Sequence, residues 1–243
     1  MQRKIDIDER LNPNTKIYRY VSAECFFAFV ESKYTYLTNI NQWPDKWEAI
    51  LEKVPVLNEN LNQTEPLYSF HEEIYGQSWS MLEESDALWR IYSPNNTGIA
   101  ISTSIEKFEL IEGIHKGILG KVIYFDNTVD LMNKAENNNE GLKTALFKRI
   151  AFKHEEEVRL LTHNDFVDNT STEKKYIYCQ LDPLAFIEGV TIDPRANDWF
   201  VKTIKSYCKR VGFDIIPEKS TLYDSDAHNK TGLIRKYIPT NKK

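Results

Sequence analysis

The chain is poor in the residues that mark out special classes of protein. Its 243 residues hold three cysteines, Cys25, Cys179 and Cys208, scattered and odd in number. They form neither a disulfide framework nor a metal-ligand spacing. The five histidines are dispersed, and the nearest pair, His154 and His163, fits no zinc motif. No metal site is therefore expected. Glycine is scarce too, with nine in all, and none builds a GxGxxG loop, a Walker A loop or a GxSxG elbow. Any phosphate contact must then come from arginine or from backbone amides. Long apolar runs are missing: Cys25 to Val30 is far too short to span a bilayer, and the opening MQRKIDIDER has no apolar signal region. A cytoplasmic protein without a membrane partner is the expectation. Basic excess is missing as well. Lysine and arginine total 31 against 36 acids, a net charge of −5, so no global field draws the chain to nucleic acid or to anionic lipid.

What remains is ordinary globular material, 41% hydrophobic and 28% charged, in a chain long enough to bury a substantial core. We read residues 1–243 as a single domain, with a polar extension over 1–15, a core over 16–238 and a short lysine tail over 239–243. Lys16 to Val21 reads as a first strand. Ser22 is placed to cap a helix from Ala23 to about Glu31, with Phe26, Phe27 and Val30 facing the core. Lys33 to Thr38 reads as a second strand, and Pro44 introduces a helical turn carrying Trp47, Ile50 and Leu51. Residues 55–67 read as a loop, 83–92 as a short helix and Thr97 to Ser104 as a strand ending in three hydroxyls. Ser104 is also a good helix cap.

Leu119 to Phe125 reads as a strand. Leu142, Ala145, Leu146 and Ile150 have helical spacing over 142–152. Strands follow at 176–181 and 186–192. After Pro194 comes the clearest helix, with Trp199, Val201, Ile204, Tyr207, Cys208 and Val211 on its apolar face and Gly212 closing it. Short strands are expected at 213–216 and 233–238. Helices and strands mix without a βαβ rhythm, which predicts an α+β fold with a mixed, mostly antiparallel sheet flanked by helices.

The chemically densest stretch is Ala151 to His163, AFKHEEEVRLLTH. As a strand it places Glu155, Glu157 and Arg159 on one face, with the two carboxylates about 7 Å apart. That is either a polar cluster in a cleft or a strand face of paired charges. Arg19, between Tyr18 and Tyr20 in a short buried strand, is the other unusual residue, because burying its charge requires a partner.

Several stretches together resemble the bacterial and phage-associated family called domain of unknown function 2971. They are IYRY at 17–20, Tyr36-Leu37-Thr38 followed by NQWPDKWE, ALWRIYSPNNTGIAIS at 87–102, KHEEEVRLL at 153–161, GVTIDPRANDWF at 189–200 and STLYD at 220–224. The chain departs from the family where NQWPD replaces an Asn-Asp-Pro type segment and where His154 stands in place of an aromatic. The layout also resembles, more remotely, that of ADP-ribosyltransferases, with an arginine on a first strand, Ser-Thr-Ser on a second and Glu-x-Glu on a third. The resemblance implies NAD as substrate and no metal. It implies Glu157 beside the ribose, Glu155 toward the acceptor, and Arg19, Tyr20, Ser102 and Ser104 around the dinucleotide, with Tyr18 or Tyr20 stacking on nicotinamide. The acceptor, protein or nucleic acid, is left open, and a role in phage defence is what the family implies. Two other readings stay open. One is a metal-dependent nuclease or phosphodiesterase using Asp45, Glu48, Glu155, Glu157 and Lys153. The other is a non-catalytic sensor or interaction module in which Glu155, Glu157 and Arg159 form a salt-bridged strand face.

Overall fold

The computed structural model describes residues 4–49, 51, 55–58, 63–66, 73–135, 141–168 and 175–224. The strands anticipated around Arg19 and the three hydroxyls form the centre of a ten-stranded sheet. In chain order its members are β1 (Ile5–Ile7), β2 (Lys16–Ser22), β3 (Tyr34–Asn39), then, beyond a small separate hairpin of β4 (Pro55–Asn58) and β5 (Gln63–Pro66), β6 (Ile74–Ser80), β7 (Gly98–Ser104) and β8 (Gly117–Lys121). A parallel two-stranded pair, β9 (Ile123–Phe125) with β10 (Phe147–Arg149), stands outside it. β11 (Glu157–His163), β12 (Tyr176–Gln180), β13 (Gly189–Ile192) and β14 (Glu218–Lys219) complete the set. The order across the sheet is β1-β8-β11-β6-β2-β7-β13-β14, with β3 on β6 and β12 on β3. Only the pairs at the two ends, β1 with β8 and β13 with β14, are parallel. The fold is α+β with a mostly antiparallel sheet, as the pattern predicts.

Among the described residues, the helices with full bounds are α1 (Ala23–Ser32), α2 (Asp86–Tyr92), α3 (Thr128–Ala135), α4 (Pro183–Phe186) and α5 (Asp198–Val211). Ser22 caps α1 by accepting from the Cys25 amide at 3.3 Å, and Lys33 ends it in the left-handed region at φ 58°. Gly212 closes α5 at φ 93°, a conformation that favours glycine. Phe26, Val30, Ile204, Tyr207 and Cys208 from α1 and α5 share one large core with Ile17, Ile99 and Ile101 of the sheet.

Several local expectations are corrected. Residues 5–7 extend the sheet through β1, in a segment expected to be polar extension. Residues 55–67, expected as loop, hold the β4–β5 hairpin. The 119–125 segment is two strands, and 186–192 begins as the end of α4. The helix expected over 142–152 is a 3-10 turn, then β10, then a second 3-10 turn, because residues 147–149 pair with 123–125. On α5 it is Phe200 that is buried, while Trp199 is 63% exposed. The strand expected at 213–216 is displaced to 218–219. Ile50, the strand expected at 233–238 and the 239–243 tail lie outside the described residues. Among the described residues, no helix is long and apolar enough to cross a membrane.

Candidate functional site

The sheet has a fault line. β2 pairs with β7 along seven residues, yet it meets β6 at one rung, Tyr18 opposite Ser80. Beyond that rung the strands part, and a cavity of about 350 Å³ opens between them. On the β6 side Gly76, Ser78 and Ser80 face it in alternation; the two serines leave space free, and Gly76 admits the Trp43 ring against the strand. On the β2 side stand Tyr18, Arg19 and Tyr20. Tyr36 of β3, Cys25 of α1 and Tyr92 of α2 close the walls, and Glu155 and Glu157 reach the floor.

Arg19 is half-buried, and burial pulls its pKa below the usual guanidinium value. Its guanidinium carbon lies 5.4 Å from the centroid of the Tyr36 ring. Among the described residues no carboxylate forms an ion pair with it. A partly buried cation without an acid is uncommon, because desolvation has no compensating Coulomb partner.

The acids below are held very differently. Glu156 sits at φ 42°, ψ 55°, which ends a 3-10 turn at Glu155 and starts β11 at Glu157. Glu155 is therefore not on the strand, contrary to the alternation read from sequence, but the turn still brings its carboxylate beside that of Glu157. Lys148 Nζ donates to Glu155 Oε2 and to Glu157 Oε2, each at 2.8 Å, and lies 3.6 Å from Glu48 Oε1. Arg159, with no exposed surface, donates from Nε to Glu157 Oε1 at 2.8 Å and from Nη2 to Glu48 Oε2 at 2.5 Å and Glu157 Oε2 at 3.1 Å. Its Nη1 donates to the Ala145 carbonyl at 2.7 Å, and the Trp43 ring centroid lies 4.5 Å from its guanidinium. Three carboxylates (Glu48, Glu155, Glu157) against two cations (Lys148, Arg159) leave one formal negative charge at the floor.

Burial alone would raise the Glu157 pKa, but Arg159 and Lys148 outweigh it and hold the carboxyl at about 2. Burial wins at Glu48, which is raised. Lys148, which burial would lower, is raised by Glu157, Glu48 and Glu155. Tyr92 and Tyr124 are each pushed up to about 12, first by burial and then by this acidic floor. The Tyr124 hydroxyl accepts from the Glu157 amide at 2.9 Å. Both oxygens of Glu157 are occupied, whereas Glu155 uses one oxygen on Lys148, and its other has no partner among the described residues.

The structure thus gathers Arg19, Tyr20, Glu155 and Glu157 around one cavity and leaves out Ser102 and Ser104. Ser102 is buried against Gly189, where an added Cβ would stand 2.5 Å from its hydroxyl. Ser104 donates to Glu188 at 3.1 Å and makes no capping bond to the following turn. Between them, Thr103 donates to the Phe186 carbonyl at 2.7 Å. The hydroxyl run ties β7 to the chain entering β13 and does not line the cavity. Tyr20 lines it but packs edge-on against Trp89, with centroids 4.8 Å apart, and its hydroxyl donates to the Glu83 carbonyl at 3.1 Å. Sequence reasoning missed Tyr36, Ser78, Ser80, Tyr92 and Lys148. The period-two GQSWS pattern was a signal for the serines; for Lys148 the local helical spacing hid the strand.

The proposed metal ligands are all committed to cations. Arg149 takes Asp45 through two bonds of 3.0 Å, and Glu48, Glu155 and Glu157 are engaged as above. A divalent ion there would have to displace them. Lys153 is exposed. Glu157 and Arg159 do pair along one strand face, but the pair is buried and Glu155 joins it from the preceding turn through Lys148.

A family model matches part of the chain. It is described as "Protein of unknown function (DUF2971)" and covers residues 88–160. That span contains most of α2, all of β7 and most of the acidic floor. No curated protein matches the sequence. Among solved structures, the chain is similar to Thermus sp. 2.9 DarT in complex with ADP-ribosylated ssDNA, at 10% identity and a TM-score of 0.38, over 89% of this chain and 96% of that one. It is also similar to the same protein in complex with carba-NAD+ and with NAD+, each at 11% identity and a TM-score of 0.39, over 86% of this chain and 96% of that one.

Proposed function

We propose that this chain cleaves the nicotinamide–ribose bond of NAD in the cavity between β2 and β6 and passes the ADP-ribose to an acceptor. The observation that carries the reading is the charge layout of the cavity. One wall presents a cation without an acid, Arg19, and the floor presents one surplus negative charge beside an unoccupied Glu155 oxygen. NAD needs both signs. Its diphosphate is anionic, and the ribose develops positive charge as the bond to the leaving ring breaks, as in glycoside cleavage.

In this reading Arg19 binds the diphosphate through its planar donor fork. The C1′–N bond breaks, its electron pair passes to the ring nitrogen, and neutral nicotinamide departs. Glu155 faces the ribose cation and hydrogen-bonds its hydroxyls. An acceptor O–H or N–H attacks C1′ and gives its proton to Glu155 or to solvent. Glu157 fixes Lys148 and Arg159, so that the floor keeps its shape and charge. Tyr36 and Tyr92 wall the cavity.

The test is nicotinamide release from NAD, read by chromatography. Glu155→Gln and Arg19→Met should each lower the rate by about a hundredfold or more, the scale of losing one oriented charge-stabilising group. Arg19→Met should also leave stability unchanged or raised, because it removes a desolvated charge that has no ion-pair partner. A wild-type protein that neither binds nor cleaves NAD would end the proposal.

A further inference from the structure

The cavity face of the sheet continues outward across β3 onto β12, and its surface there has an unusual composition. In the antiparallel register Tyr178 stands opposite Tyr36, Tyr176 opposite Thr38 and Gln180 opposite Tyr34. These six side chains therefore share one face, with four tyrosines and no aliphatic among them. Three of the four rings form a connected group: Tyr36 to Tyr176 is 5.7 Å between centroids, Tyr36 to Tyr178 is 6.5 Å and Tyr176 to Tyr178 is 6.4 Å. Tyr34 is 45% exposed and Tyr178 53% exposed. Cations are spaced along the group. Arg19 lies over Tyr36 at the cavity, and Lys175 Nζ lies 5.1 Å from the Tyr176 centroid at the far side. Lys33 immediately precedes Tyr34 at the other end of the strand pair.

From this arrangement we infer that the β3–β12 face is a docking platform for single-stranded nucleic acid, which would be the acceptor delivered to the cavity. The chemistry selects that partner. Protein interfaces are also rich in tyrosine and arginine, but they are depleted in lysine, and here Lys175 stands against the Tyr176 ring. A platform of exposed aromatic rings interleaved with cations suits unpaired bases, which stack on the rings, while the phosphates meet the cations. Tyr36 belongs to both the platform and the cavity wall, so a strand lying on the face would lead a base or its sugar toward Glu155. The chain's overall acidity is no obstacle, because stacking supplies the contact and the local cations supply the charge. A duplex would fit poorly, since its bases are already stacked on one another.

The inference extends the proposed reading by naming the acceptor, and its experiment separates the two. Fluorescence anisotropy with a labelled oligothymidylate, single-stranded and annealed, is measured at low and at physiological salt. Wild-type protein should bind the single strand in preference to the duplex, and more weakly at the higher salt. Tyr176→Ala with Tyr178→Ala should weaken binding roughly tenfold or more, while Tyr178→Phe retains it. NAD binding by calorimetry should be unchanged in both variants. Absence of single-strand binding, equal affinity for the duplex or an indifferent double alanine variant each overturns the platform. So does a dimer, seen by light scattering, that Tyr178→Ala dissolves while leaving oligonucleotide affinity unchanged; the face would then be a contact between two copies. Failure of the cavity reading would look different: oligonucleotide binding would persist in a protein that does not take up NAD.

Discussion

Arg159 grips Glu157 two residues away along one strand face, with Nε 2.8 Å from Oε1 and Nη2 3.1 Å from Oε2. The pair is buried, so its stability depends on both charges remaining present. Glu157 has its pKa held at about 2, below its ordinary 4.5. A depressed carboxylate contributes stability that is complete above the unfolded value and fades as pH falls through the folded one. Acid titration of urea midpoints should therefore show a loss between about pH 4.5 and 2 that Glu157→Gln flattens. Glu48, whose pKa is raised by burial, works in the opposite sense just above its ordinary value. Its own variant should accordingly remove a gain in stability on acidification just above pH 4.5 and leave the lower limb in place.

Lys148 carries a heavier share. Replacing it with methionine leaves Glu48, Glu155 and Glu157 facing Arg159 alone. We expect a loss of about 3–5 kcal/mol at pH 7, the usual range when one partner of a buried ion pair is removed. The loss should shrink toward pH 4 as the acids take up protons. Denaturant melts of Lys148→Met at the two pH values check this, and an equal loss at both would count against the network described.

Gly76 is a packing position. A Cβ there would lie 2.7 Å from Leu161 Cδ2 and 2.8 Å from the Trp43 ring. Because Trp43 covers Arg159, the indole cannot withdraw without uncovering the guanidinium. Gly76→Ala should cost about 1–3 kcal/mol through overpacking, measured as a shift in the thermal midpoint.

Thiol chemistry offers a simple check of the cavity wall. Cys179 and Cys208 are buried, and burial pushes their thiols up to about 12 and 11 respectively. Cys25 is exposed on the first turn of α1 and lines the cavity. Native protein should take up one equivalent of iodoacetamide, at Cys25, and denatured protein three. Peptide mapping by mass spectrometry distinguishes the sites.

Local signals served best where the local chain decides the structure. Ser22 before α1, Gly212 after α5 and the strand through Arg19 were all legible, because caps, glycine conformations and period-two alternation act over a few residues. Segment 142–155 was not. Leu142, Ala145, Leu146 and Ile150 have helical spacing, but pairing of Phe147–Arg149 with Ile123–Phe125 and the pull of three acids on Lys148 impose another path. Ser102 and Ser104 misled for a related reason, since residue identity on a strand does not say which neighbour that face will meet. Arg19, Glu155 and Glu157, which meet at one cavity, stand out in the sequence because an arginine between tyrosines in a short strand and a run of acids before an apolar segment are both unusual. Tyr36, Ser78, Ser80 and Tyr92 join them only because two strands diverge, and divergence is a property of the whole sheet.

That divergence also bears on motion. With Tyr18 and Ser80 as the one shared rung between β2 and β6, the two halves of the sheet can tilt about a single point while every other ladder stays intact. A molecule gripping both lips would slow amide exchange around that rung first, long before any strand elsewhere registered its arrival.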